Sequence, residues 1–238
     1  MKRLIKLQLR NVYHNKLFYV CLGLTLILPM LTVFINKLNV PGMQTDKVFP
    51  EIIDFLSDEL SIISIVFVAL FCCFDFNEKT TKNIIARGYT KTKLLFSKYI
   101  VSLIALFSMY IMTSLLIFIL FFNKGIGFDE NTILLLLNNI IKIIALTIFF
   151  ATLSFLLEKN GSAIIACIFI PNIVPLLLNA IDSYLKLNTT NFWITNLSNT
   201  FIKNPTLSNF GLSSLYYLIY IVVIIFIGIE LLKKKEIK

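Results

Sequence analysis

Few residues in this chain have the types and spacing that catalysis needs. His14 is the sole histidine, and it lies in a basic amphipathic segment, where it reads as an interfacial polar residue rather than a general base. No G-x-x-x-x-G-K-[ST], H-E-x-x-H or G-x-S-x-G pattern occurs. The four cysteines, Cys21, Cys72, Cys73 and Cys167, sit inside apolar runs without C-x-x-C spacing, so they read as small core or lipid-facing residues. The chain is therefore not expected to be an enzyme or to hold a metal or cofactor of its own. Its most informative chemistry is a charged stretch, Asp75 to Lys98, with six basic residues (Lys79, Lys82, Arg87, Lys91, Lys93, Lys98) against Asp75 and Glu78.

Local rules give this stretch internal parts. Asp75 precedes Glu78 by three residues, as in a capping box with Asp in place of Ser or Thr, and Glu78 suits a helix N-terminus. Thr81, Ile84, Ile85 and Gly88 then share one face. Arg87 suits a helix C-terminus, Gly88 can take the left-handed conformation that closes a helix, and Thr90 can cap a new one starting at Lys91. The spacing predicts a short helix of about three turns. Two readings stay open: a helix on which a partner docks, or a charged loop that only orients the chain in a membrane.

Composition supplies the elements around this stretch. Of 238 residues, 58% are hydrophobic and 15% charged, with mean hydropathy +0.85, which excludes an ordinary soluble domain. The net charge of +9 lies in blocks beside apolar runs, which argues for membrane topology and against nucleic acid. The expected fold is all-α: a polytopic membrane protein with six spans at about 17–35, 59–75, 99–122, 133–157, 162–181 and 213–232. A basic amphipathic helix precedes them over 1–16, with Leu4, Leu7 and Val12 toward one face, and an outer segment covers 182–212. Sixteen of the 22 basic residues fall on one side of this arrangement, so both termini are expected in the cytoplasm.

Ser162 is the expected N-cap of the fifth span. Pro171 and Pro175 each remove a backbone donor there, so this helix is expected to be kinked or broken midway. Asn138 and Asn139 of the fourth span and Asn172 and Asn179 of the fifth either line a polar path or bind helices together. Lys142, in the fourth span, reads as a snorkelling or locally paired residue, with a functional role as the alternative. An acidic outer cluster (Asp46, Glu51, Asp54, Asp58, Glu59, Asp129, Glu130) reads as a solvated face, or else as an attractor for a cationic peptide.

The order of Glu78, Thr81-Lys82, Ile84-Ile85, Gly88-Tyr89-Thr90-Lys91 and Lys98-Tyr99 after the second span resembles the membrane subunits of type-2 ATP-binding-cassette exporters. The likeness extends to the basic N-terminal helix, the six spans, the tight turn at Glu158 to Gly161 and the long segment between the last two spans. Tyr89-Thr90-Lys91 departs from it, where many members have Ser-Arg. The resemblance implies a permease of a bacterial cell membrane, paired with a second permease chain and worked by two copies of a separate ATPase that carries ATP and Mg. It makes Glu78, Thr81, Lys82, Ile84, Ile85, Arg87 and Gly88 a coupling helix, its charges meeting the ATPase and Ile84 and Ile85 filling an apolar groove there. The expected activity is export of an amphiphile, such as an antimicrobial peptide, a lipid-linked compound or a drug, along a route near Pro171, Asn172, Pro175 and Asn179. The alternatives are an ion-coupled carrier and a non-transporting scaffold or regulatory subunit.

Overall fold

A computed structural model describes residues 1–39, 45–77, 80–122, 130–197 and 206–234, without the side chains of 32–59, 77, 120–122 and 131. These residues form eight α-helices and no strand: α1 Lys2–His14, α2 Lys16–Asn39, α3 Thr45–Asn77, α4 Thr80–Ala86, α5 Lys91–Phe122, α6 Glu130–Leu157, α7 Asn160–Leu185 and α8 Leu207–Lys234. A 3-10 turn, Thr189–Phe192, follows α7.

The helices α5, α6, α7 and α8 are each long and apolar enough to cross a membrane. Two bent pairs pass the same test jointly, α1 with the described start of α2 at 63° and the end of α3 with α4 at 64°, so the spans number four, or up to six if each pair counts as one. The chain is thus a membrane protein, and the expectation of six separate spans is met only with the bent pairs counted. The first bend has a local cause at Asn15: its N–H closes α1 on the Val12 carbonyl, while its Oδ1 accepts the Leu17 N–H at 3.0 Å and caps α2.

The centre of the bundle is the pair α3 and α6. Phe76 meets Phe155 edge to face at 4.9 Å between centroids, and the Cys73 thiol donates to the Ser154 carbonyl. On the far side of α6 lies α8, running parallel to it, since Ser213 Oγ donates to Asn138 Oδ1 at 2.8 Å and Gly228, some four turns on, faces Thr152. Gly228 is a glycine because a Cβ there would stand 2.7 Å from Thr152 Cγ2. The Thr152 hydroxyl is itself fixed, 2.5 Å from the Tyr99 hydroxyl of α5.

Three local expectations are corrected. Ser162 is not a cap: α7 starts at Asn160 after Lys159, without a side-chain cap, because Glu158 at φ 62° turns the chain and starts the new helix two residues earlier. Of a kink or a break at the prolines, the break is corrected, since α7 runs as one helix through Pro171 and Pro175. Beside the missing donors, the Asn172 side-chain amide bonds the Ile168 carbonyl at 2.7 Å and supplies an extra rung. Of the two local readings of Lys142, snorkelling is corrected, since it is 1% exposed and among the largest fully buried side chains, while local pairing stands.

Gly228→Ala is expected to cost about 1–3 kcal/mol through overpacking against Thr152. Thr152→Ser, which deletes the clashing methyl and keeps the hydroxyl bonded to Tyr99, should restore most of that loss. Thermal unfolding of the single and double variants in detergent checks this; a double variant as weak as Gly228→Ala would mean that the two positions do not meet.

Candidate functional site

The charged stretch folds around one buried ion pair. Asp75 lies inside α3, two residues before its end, and Lys98 lies two turns into α5. Their side chains are 2% and 0% exposed, with Lys98 Nζ 2.9 Å from Asp75 Oδ2. The ammonium also donates to the Phe71 carbonyl at 2.9 Å and sits 3.9 Å from the centroid of the Phe71 ring. The carboxylate collects two further donors: Gln8 Nε2 of α1 on Oδ2 at 2.6 Å, and Thr80 Oγ1, the first residue of α4, on Oδ1 at 3.2 Å. Four helices therefore meet on one carboxylate. A charge taken out of water needs such a set of partners.

This arrangement corrects the reading of Asp75 as a cap. The apolar period of α3 runs past it to Asn77, so Asp75 is the anchor of α3, and α4 is two turns long rather than three. Glu78, the other half of the expected capping box, lies outside the described residues. The cap at Thr90 is present, with its Oγ1 accepting the Lys93 N–H at 3.3 Å.

The residues expected to couple to an ATPase divide by face. Thr81 and Ile84 are buried in the chain itself, and Ile85 is half-buried. Lys82, Asn83, Ala86 and Arg87 are exposed. Ile84 is thus turned inward, where it holds α4 to the bundle, and is not free to fill a partner's groove. Gly88 follows at φ 85°, its N–H on the Ile85 carbonyl at 2.8 Å, with open space where a Cβ would go. Only its backbone conformation asks for glycine there.

Around the same end, α1 turns Leu4, Gln8 and Val12 inward and leaves Lys2, Arg3, Lys6 and Arg10 exposed. Leu7, expected on the inner face, is 42% exposed. Gln8 is the residue that sequence reasoning missed. A glutamine in place of an apolar residue at the middle of the i, i+4, i+8 row was the available signal.

The other candidate residues lie elsewhere and do not join this node. Asn172, Asn179 and Ser183 are exposed along one stripe of α7, with Pro171 and Pro175 half-buried. Their spacing keeps them within about a quarter of the helix circumference. Among the described residues no group of three or more His, Cys, Asp or Glu is placed to hold a metal.

Fold and site together define a polytopic, all-helical membrane protein whose basic end is knotted by a buried ion pair. Residues 17–238 match the family described as protein of unknown function (DUF2705), and the chain belongs to that family. No curated protein matches it. The likeness to type-2 ATP-binding-cassette exporters is overturned by this result, because the family match is to DUF2705 and to no exporter family. The motif that carried it is degenerate: a threonine and lysine, an apolar pair and a glycine are what any short amphipathic helix with a glycine stop requires.

Asp75→Asn and Lys98→Met are each expected to cost about 3–5 kcal/mol, since either leaves a buried charge without its partner. The double variant should recover much of this, and a double-mutant cycle on thermal stability measures the coupling. Additive losses would show that the two side chains do not form a pair in the bundle.

Proposed function

We propose that this protein is the membrane subunit of an exporter driven by a separate cytoplasmic ATPase, with an amphiphile as substrate. The carrying observation is the build of α4. Its inner face is held to the bundle by Thr81 and Ile84, its exposed face presents Lys82, Asn83, Ala86 and Arg87, and its first residue bonds the buried carboxylate shared with α1, α3 and α5. A helix this short has little stability by itself. A push on its exposed face is passed to α5, which runs from the node through the bundle. ATP and Mg belong to the partner on this reading.

The basic end is then the cytoplasmic face, with both termini inside and each bent pair contributing one of six crossings. The stripe of Asn172, Asn179 and Ser183, exposed on an otherwise apolar α7, suits a substrate with both polar and apolar parts. A second copy of the chain or a related one would cover the exposed faces of α7 and α8. The buried Lys142 favours a second reading, an ion-coupled carrier, since an ionisable group inside a span marks a candidate ion pathway.

Purification of the tagged chain from its own host in mild detergent tests the first reading. An ATPase should accompany the wild-type chain and be lost from a Lys82→Glu/Arg87→Glu variant whose thermal stability is unchanged. Absence of an ATPase from the wild-type preparation, or its retention by the variant, would overturn the proposal.

A further inference from the structure

The segment after α7 was expected to be an outer loop, yet the depth of its contacts is that of a buried element. Parallel packing of α6 and α8, fixed by Asn138 with Ser213 and Thr152 with Gly228, places Tyr216 and Tyr220 opposite residues near 141 and 145 of α6. The Tyr220 hydroxyl donates to the Phe192 carbonyl at 2.7 Å, and the Phe192 ring meets Tyr216 edge to face at 5.5 Å. Trp193 meets Phe149 of α6 at 6.2 Å between centroids. Phe149 is ~12 Å along the helix from Leu157 at the basic end and ~25 Å from Thr132 at the other. In a hydrocarbon layer of about 30 Å these contacts lie in its interior.

The end of α7 is tied to the same turn, since the Asp182 carboxylate bonds Thr189 and Thr190. The apolar window of α7 is only 6% buried, against 61% for α6. The segment fills the wedge left between α7 and α8: Asp182 holds it from one side, Tyr216 and Tyr220 from the other, and its own Ile194 and Leu197 are 1% and 4% exposed.

Non-helical backbone survives at such depth only where its polar groups find partners in the protein or in a water-filled cavity. Here they do so locally. Asp182 Oδ1 accepts the Thr189 N–H at 2.8 Å and its hydroxyl at 2.5 Å; Oδ2 accepts the Thr190 N–H at 2.8 Å and its hydroxyl at 2.7 Å. The Trp193 carbonyl takes the N–H groups of Asn196 and Leu197.

We infer that residues 182–197 form a re-entrant plug at mid-membrane depth, closing a lateral opening between α7 and α8, with the Asp182 clamp as its latch. Asn188 and Asn191, exposed on the plug, prolong the polar stripe of α7, so a released plug would open that stripe to water. The plug's role as a gate extends the transport reading above, but the test reads membrane depth rather than transport, so each can fail alone.

Trp193 is the chain's sole tryptophan, which makes the plug its own depth probe. The full chain is reconstituted in vesicles of lipids brominated at shallow, middle or deep acyl positions, and Trp193 emission is recorded with and without aqueous iodide. Strongest quenching by the middle or deep bromines with no effect of iodide is the expected result. Quenching by iodide together with the shallow bromines would place the segment outside and overturn the inference. Asp182→Asn, which leaves one acceptor oxygen where the carboxylate had two, should shift the emission to the red and admit iodide. Tyr220→Phe, which deletes a single hydroxyl on the opposite side, should do the same if Asp182→Asn fails to fold. An emission unchanged in a folded latch variant would overturn the gate.

Discussion

Asp75 and Lys98 form the contact on which the rest of this structure depends. In the interior two opposite charges at 2.9 Å attract strongly, yet each has lost its hydration, so they are stable only together and only with further donors and acceptors around them. The bundle provides these from four helices: Gln8 of α1, the Phe71 carbonyl and ring of α3, and Thr80 of α4, around a lysine carried by α5. Moving any one of these helices without the others would strand a charge or leave a buried polar atom unpaired. The basic end is therefore held together as one cluster by these contacts.

The remainder of the chain divides by how much it buries. α6 is covered over most of its apolar window, while α7 and α8 are 6% and 22% covered. The packed frame thus consists of α3, α5 and α6, and α7 and α8 leave apolar faces exposed at its periphery. Close approach holds α8 to this frame: Gly228 lets it reach Thr152, and Thr152 is tied to Tyr99, one residue after Lys98. The node and the far helix are connected through adjacent residues of α5.

Much of this was legible in the sequence because the signals are local. Apolar runs of span length gave the long helices, and Gly88 and Thr90 gave the stop and restart around a charged stretch. Three features were not legible. Asp75 looks like a cap until it is known that α3 continues past it, since one acidic residue serves either role and only tertiary burial decides. Ile84 and Ile85 form an apolar pair whose outward or inward sense depends on the bend between α3 and α4, which no local pattern encodes. The contacts of the segment after α7 with Tyr220 and Phe149 were hidden because those partners are remote in sequence, whereas its Asn/Thr/Ser composition is that of a loop. The same degeneracy explains why a short polar pattern resembled an exporter family to which the chain does not match.

The central claim, that α1 and α4 are bound to the spans through one shared ion pair, is tested most directly by amide hydrogen exchange on the intact chain in detergent, comparing wild type with Lys98→Met. The account predicts that residues 4–12 and 80–86 lose protection together, although neither segment carries the substitution, while the middle of α6 stays protected. Loss of protection confined to the start of α5, with α1 and α4 unchanged, would contradict it.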